Sequence, residues 1–274
     1  MANEVTEDRY GDARNRVLEC ANVRAYRGGT LVFDGLDLCI EQGLNTAIIG
    51  PNGSGKSTLL KLLSREIYPV YDPESRLLVY GRDRWNVEEL RSRLGIVSND
   101  LQQDYGRHAL GRDVILSGYY SSIDIWPHQQ FRPEELIHAD ELMERLGIAE
   151  LADRQFGRMS TGQQRRFLLG RALVHSPEVL VLDEPTSGLD LPATFRYIET
   201  VRRLMQSGTQ LILVTHHLHE IPPEVTRLVF IRSGRVVASG DKGELMTSGS
   251  VSELFGCPVE VVCRNGYYQA VPGE

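Results

Sequence analysis

The sequence predicts an α/β fold in which a parallel sheet is covered by helices on both faces, and three observations carry that expectation. Strand-sized apolar runs at 46–49, 179–182 and 210–215 alternate with segments of helical periodicity. A glycine-rich turn, from Gly50 to Gly55, stands directly between the first of those runs and a leucine-bearing helix at 56–63. No apolar run approaches the roughly 20 residues that a bilayer span requires. The composition fits: 274 residues, 41% hydrophobic and 24% charged, exclude a disordered chain and a coiled-coil rod. A formal net charge of -7 argues against a protein whose main task is to neutralise nucleic-acid phosphate, so no nucleic-acid partner is expected.

Along the chain, residues 1–16 are acidic, polar and without the apolar stretch of a signal peptide, and read as a flexible tail on a cytoplasmic protein. Alternating apolar and polar positions at 17–18, 31–33 and 36–40, broken by Arg27-Gly28-Gly29 and Gln42-Gly43, give an antiparallel strand group. After the 46–49 strand, the glycine turn and the helix, the stretch 100–158 is helical and strandless. There Leu136, Ala139, Met143 and Leu146 recur at intervals of three and four behind Arg132-Pro133-Glu134-Glu135, with proline in the first turn. A helix follows from Thr161 to about His175, then the buried run 179–182 and a helix through Phe195, Ile198, Val201 and Met205. Strands at 210–215, 228–231 and 236–239 come next. Two short runs, 259–263 and 267–270, flank Arg264-Asn265-Gly266, a hairpin signal. The expected organisation is a tail at 1–16, one domain at 17–240 with a helical insert at about 100–158, and a C-terminal helix and hairpin extension at 241–274. Cys20, Cys39, Cys257 and Cys263 have no metal-ligand spacing and suit reduced, half-buried thiols in strands.

The chemistry starts at Gly50-Pro51-Asn52-Gly53-Ser54-Gly55-Lys56-Ser57-Thr58, which fits G-x-x-x-x-G-K-[ST] between a strand and a helix. Glycines there let successive backbone N–H groups turn around phosphates and the helix N-terminus adds partial positive charge. Lys56 reaches the outer phosphates, and Ser57 holds Mg2+. The basic residues sharpen this reading: 27 of the 30 are arginine, and lysine survives only at 56, 61 and 242. A compact ammonium is therefore kept where a planar guanidinium cannot substitute. Further on, Val179-Leu180-Val181-Leu182-Asp183-Glu184-Pro185 delivers two carboxylates at the end of a buried strand, where open parallel sheets place ligands. Asp183 suits Mg2+ binding, directly or through water, and Glu184 suits the role of general base towards the attacking water. Ser160 and Gly162, at the start of the helix that precedes this strand, offer a hydroxyl and free N–H groups to an anion.

Together these residues resemble the nucleotide-binding domains of the ATP-binding cassette (ABC) superfamily over about residues 17–240. The 50–58 segment matches the Walker A loop and 179–185 matches Walker B. Ser160-Thr161-Gly162-Gln163-Gln164 matches the signature, Ser187-Gly188-Leu189-Asp190 the D-loop, and His216 the switch histidine. Tyr26 stands where the family places an aromatic that stacks on adenine. The resemblance implies a P-loop NTPase (RecA-like) core with an antiparallel β subdomain and an inserted helical subdomain, using ATP and Mg2+. It also implies a homodimer, or a heterodimer with another ABC domain, in which Ser160, Gly162 and Gln163 of one subunit serve the nucleotide held by the other. In that arrangement Asp190 couples the two sites and His216 contacts the γ-phosphate. Two positions depart from the family pattern. Asn99, or in its place Gln102 or Gln103, stands for the usual glutamine before the insert, and Thr161 replaces the first glycine of the signature pair, from which slower turnover is expected.

The segments 110–126 and 254–268 resemble those of a subgroup tied to molybdate and iron-chelate uptake. The implied job is the ATP-hydrolysing subunit of a transporter, peripheral on the inner face of the membrane and coupled to separate permease subunits. The alternative is a soluble stand-alone ABC ATPase acting as a regulator or assembly factor.

Overall fold

A computed structural model describes residues 15–274. The expected tail therefore lies outside the described residues except for Asn15 and Arg16, and Arg16 already opens the first strand. Two long strands, β1 (Arg16–Arg27) and β2 (Thr30–Glu41), pair antiparallel, and a short β4 (Arg76–Val79), which sequence reading did not find, pairs on the other side of β1. Between them lie β3 (Thr46–Ile49) and α1 (Lys56–Leu63). Next come α2 (Val87–Arg93), β5 (Leu94–Val97), the insert helices α3 (Asn99–Asp104), α4 (Gly111–Leu116) and α5 (Pro133–Arg145), then α6 (Thr161–Leu173), β6 (Val179–Asp183), α7 (Leu191–Gln206) and β7 (Gln210–Thr215). The chain closes with β8 (Arg227–Arg232), β9 (Arg235–Asp241), α8 (Lys242–Leu245), α9 (Ser248–Phe255) and the antiparallel hairpin β10 (Val259–Arg264) and β11 (Tyr267–Pro272), which turns at Asn265-Gly266 as expected.

The main sheet runs β5-β6-β7-β3-β8-β9 and is parallel from β5 to β8. β9 corrects the expectation of an all-parallel sheet: it returns antiparallel to β8 through a tight turn at Ser233-Gly234. Its side chains alternate between exposed and half-buried, the pattern of an edge strand, whereas every residue of β3, β6 and β7 is buried.

Each central strand divides its side chains between two cores. In β6, Leu180 and Leu182 join the core shared with the insert, while Val179 and Val181 face the core formed with the antiparallel subdomain and α1. β7 repeats the division, with Leu211 and Leu213 on one side and Ile212 and Val214 on the other. Leucine thus faces the helical side and β-branched residues face the strands, where their stiff side chains pack well on a pleated surface. Of the helical positions named from periodicity, Leu136 and Phe195 are exposed, while Ala139, Met143, Leu146 and Val201 are core residues. The cysteines also differ from expectation, since Cys20 is buried and Cys39 half-buried but Cys257 and Cys263 are exposed.

Gly234 joins three parts of the molecule. Its N–H donates to the Ser54 carbonyl at 3.0 Å, tying the β8–β9 turn to the glycine loop, and its φ of +73° suits glycine. A Cβ there would fall 1.9 Å from the Val32 carbonyl oxygen of β2. Gly234→Ala is expected to cost about 2–3 kcal/mol and to lower the urea midpoint accordingly; an unchanged midpoint would show that the turn and β2 are not locked together.

Candidate active site

The carboxyl ends of β3, β6 and β7 meet at one end of the sheet, with Ile49 opposite Thr215 and Asp183 opposite Val214. Residues 50–55 form the loop between β3 and α1. Gly55 caps the helix at φ +110°, and a Cβ at this position would lie 2.9 Å from the Phe33 ring, so the loop approaches β2 closely only because no side chain intervenes. Beside it is an open cleft of about 340 Å³ lined by Arg27, Thr30, Val32, Asn52, Gly53, Gly55, Lys56, Ser57, Thr58 and Glu184. Pro51 is half-buried at its rim. Lys56 is buried and folded back, its ammonium donating to the carbonyls of Gly50 at 2.8 Å and Pro51 at 3.1 Å; burial pushes its pKa down.

Asp183 ends β6 at 9% exposure. Its pKa is pushed up to about 6, first by burial and then by the neighbouring Glu184 carboxylate, against a hydrogen bond donated by the Ser57 hydroxyl at 3.3 Å. Glu184 adopts a left-handed backbone at φ 46°, with its N–H on the Val214 carbonyl, and its carboxylate lies 2.8 Å from Nδ1 of His216. Left-handed non-glycine residues cost free energy and are maintained only where surrounding contacts fix them. The His216, His217 and His219 rings pack in series at tilted angles, with centroids 3.8 and 5.1 Å apart; burial and His216 push the His217 pKa down. Among the described residues no group of three or more His, Cys, Asp or Glu side chains could hold a metal ion on its own. The oxygen pair of Ser57 and Asp183 instead fits a small hard cation that keeps several waters and phosphate oxygens as ligands.

The remaining predicted residues fall into two further groups. Tyr26 is near the end of β1, 47% exposed, next to Arg27 on the cleft wall. Ser160 caps α6 by accepting from the Gln163 N–H, and the Gln163 side chain accepts from the Ser160 N–H in return. Asp190 caps α7 on the Ala193 N–H at 2.8 Å, and Gly162 lies so close that a Cβ on it would be 3.2 Å from that of Ala193. The signature residues and Asp190 therefore form one surface, separate from the cleft lining. Asn99 opens α3 and is not among the cleft-lining residues; its side-chain oxygen accepts from the guanidinium of Arg165 on α6, while Gln102 donates to Gln164 at 2.6 Å. Sequence reading missed Arg165, Thr186 and Glu220, all buried near the site; nothing local marks them, since Arg165 stands among Gln163, Gln164 and Arg166, and Glu220 follows His216, His217 and His219.

The ABC transporter family profile matches residues 33–187. The hemin import ATP-binding protein HmuV of Photobacterium damsela subsp. piscicida is 31% identical over 90% of this chain and 92% of its own length. The uncharacterized ABC transporter ATP-binding protein YlmA of Bacillus subtilis is also 31% identical, over 90% of this chain and 93% of its own. Among solved structures, an inward-facing transporter classed as metal-chelate type superposes with a TM-score of 0.76 over 95% of this chain and 98% of that one, at 22% identity, which speaks for the fold. With the glycine loop, the strand-end carboxylates and the capped signature helix in place, the chain belongs to the ABC transporter family of ATP-binding, ATP-hydrolysing proteins.

Proposed function

We propose that this chain is one of two ATP-hydrolysing subunits that drive a membrane transporter of the metal-chelate uptake type. The observation that carries this reading is the separation of the phosphate cleft from the signature surface on a single chain. Ser160, Thr161 and Gly162 present a helix N-terminus to the outside, and a second subunit, identical or related, would bring its own copy over this cleft. In that arrangement Lys56 exchanges the Gly50 and Pro51 carbonyls for the outer phosphates of ATP, Asn52 to Thr58 cradle them, and Tyr26 stacks on the base. Ser57 and Asp183 would hold Mg2+, which supplies charge neutralisation to the phosphates when bound. Glu184 takes the proton of the water that attacks the γ-phosphorus, ADP leaves, and His216, fixed against Glu184, contacts the transferred phosphate.

The insert is held to α6 through Asn99 and Gln102 and would carry motion to membrane subunits. No helix of the described residues is long and apolar enough to cross a membrane, so the pore would be built by separate chains. The chain's relatives include a hemin importer, and its C-terminal hairpin is of the kind expected from metal-chelate importers, which supports that substrate class. Affinity purification of the full chain from detergent-solubilised membranes is expected to recover a polytopic subunit in stoichiometric amount. Recovery of a soluble complex alone would favour the stand-alone ATPase.

Glu184→Gln should lose hydrolysis by at least ~100-fold while retaining ATP binding, and light scattering with saturating ATP and Mg2+ should then report a stable dimer. A monomer under those conditions rules out the composite site.

Asp183 also sets a pH dependence. In the unfolded chain it ionises near pH 4, in the folded protein near 6. The folded state therefore binds this proton more tightly: the carboxylate costs stability above pH 6, progressively less as the pH falls, and nothing below about 4. With Mg2+ present, Asp183→Asn should abolish ATP hydrolysis; in EDTA it should raise stability at pH 7.5 by about 2 kcal/mol, several degrees in melting temperature, with the gain shrinking at pH 5. A melting temperature that is equal or lower at pH 7.5 contradicts this account.

A further inference from the structure

Glu220 lies in a short 3-10 turn, Leu218–Glu220, four residues beyond His216, and is only 2% exposed. One carboxylate oxygen accepts from the Thr186 hydroxyl and the other from the Thr215 hydroxyl. Its charge also acts on the buried Arg165 guanidinium and Tyr197 phenol. A buried carboxylate is costly, and two hydroxyls alone do not require one.

The identity of its partners explains what the group does. Thr186 stands two residues after Glu184, and Thr215 immediately precedes His216. The Thr215 hydroxyl further accepts from the His217 N–H at 2.8 Å. One carboxylate thus ties together the two chain segments that carry Glu184 and His216, whose side chains meet 2.8 Å apart on the other side of the ring so formed. The same ring encloses the left-handed backbone of Glu184, which needs outside contacts to persist. The turn is also braced from behind. β11 packs on it, Lys242 donates to the carbonyls of Pro222 and Pro223 at 3.3 and 2.8 Å, and the hairpin tip at Gly266 lies against Pro223.

We infer that Glu220 is a positioning residue that sets the Glu184–His216 pair in its hydrolytic geometry without touching the nucleotide. The inference rests on the roles proposed above for Glu184 and His216, and its test keeps the two apart. Steady-state ATP hydrolysis and ATP affinity are measured on the full chain for Glu220→Ala, Glu220→Gln, Glu184→Gln and the double variant Glu184→Gln with Glu220→Ala. Misplacing a catalytic group by an ångström costs on the order of 100-fold. Glu220→Ala is therefore expected to lower kcat by ~10- to 100-fold with KM for ATP within about twofold to threefold of the parent. Glu220→Gln, which keeps two polar atoms at the same reach, should recover most of the rate. The double variant should be no slower than Glu184→Gln alone, because the pair being positioned is already disabled.

A Glu220→Ala protein with kcat within twofold of the parent overturns the inference. So does an equal loss in kcat and ATP affinity, or a glutamine variant no better than alanine. If Glu184→Gln itself hydrolyses ATP at the parental rate, the role assigned to Glu184 fails instead. Should Glu220→Ala not yield folded protein, Thr186→Val, which keeps the side-chain shape and removes one of the two bonds, decides on the same split: kcat down ~3- to 10-fold with ATP affinity retained, or the inference falls.

Discussion

Two carboxylates carried side by side out of a buried strand repel one another, and the catalytic end of this molecule is organised around that repulsion. β6 is closed on both faces by leucine and valine, so Asp183 cannot retreat into solvent; burial first, and the Glu184 charge second, push its pKa up. Each neighbour answers one part of it. The Ser57 hydroxyl donates to Asp183, the Lys56 ammonium lies close enough to lower its pKa, and the left-handed turn at Glu184 sends the second carboxylate to His216 instead of along the first. The arrangement is stable enough to fold, yet it leaves negative charge poorly compensated at the place where a nucleotide and its cation would arrive.

Beneath the carboxylates runs a buried polar seam. Arg165, 1% exposed on α6, donates to Asn99 at the start of the insert and feels the charges of Asp183, Glu184 and Glu220; two of its nitrogens have no hydrogen-bond partner among the described residues, and burial pushes its pKa down. The first helix of the insert, the helix that begins at the signature, and the strand ends bearing the base and the histidine are therefore in electrostatic contact through a buried interior. In such a setting charges act over longer distances than on a wetted surface. Displacing α3 would be felt at Arg165 before it was felt at the cleft.

Much of this could be read from the residues. The alternation in Val179-Leu180-Val181-Leu182 and in Leu211-Ile212-Leu213-Val214 gave buried strands and, with the glycine loop, the site's location. The Asn265-Gly266 hairpin and the start of α5 at Pro133 were equally plain, since local turn and capping chemistry determines them. What escaped was set by tertiary contact. β4 is four residues long and becomes a strand only because β1 offers it an edge. The direction of β9 depends on a two-residue turn that brings it back beside β8. Asn99 occupied the expected place in the chain but bonds to Arg165, 66 residues away, and no spacing rule connects the two. Thr186 and Glu220 look like ordinary polar loop residues until the fold buries them together.

The shortage of lysine, at first a matter of composition, becomes a map of contacts. Lys56 caps the Gly50 and Pro51 carbonyls, Lys242 caps those of Pro222 and Pro223, and Lys61 pairs with Asp100 on the insert at 3.0 Å. The rest of the positive charge is carried by guanidinium groups, which do not deprotonate in proteins. Acylation or any other modification aimed at lysine amines would thus find no neutral surface site to land on. It would strike the phosphate loop, the joint between core and insert, or the seat of the C-terminal hairpin, so that for this chain lysine chemistry and loss of a specific contact are the same event.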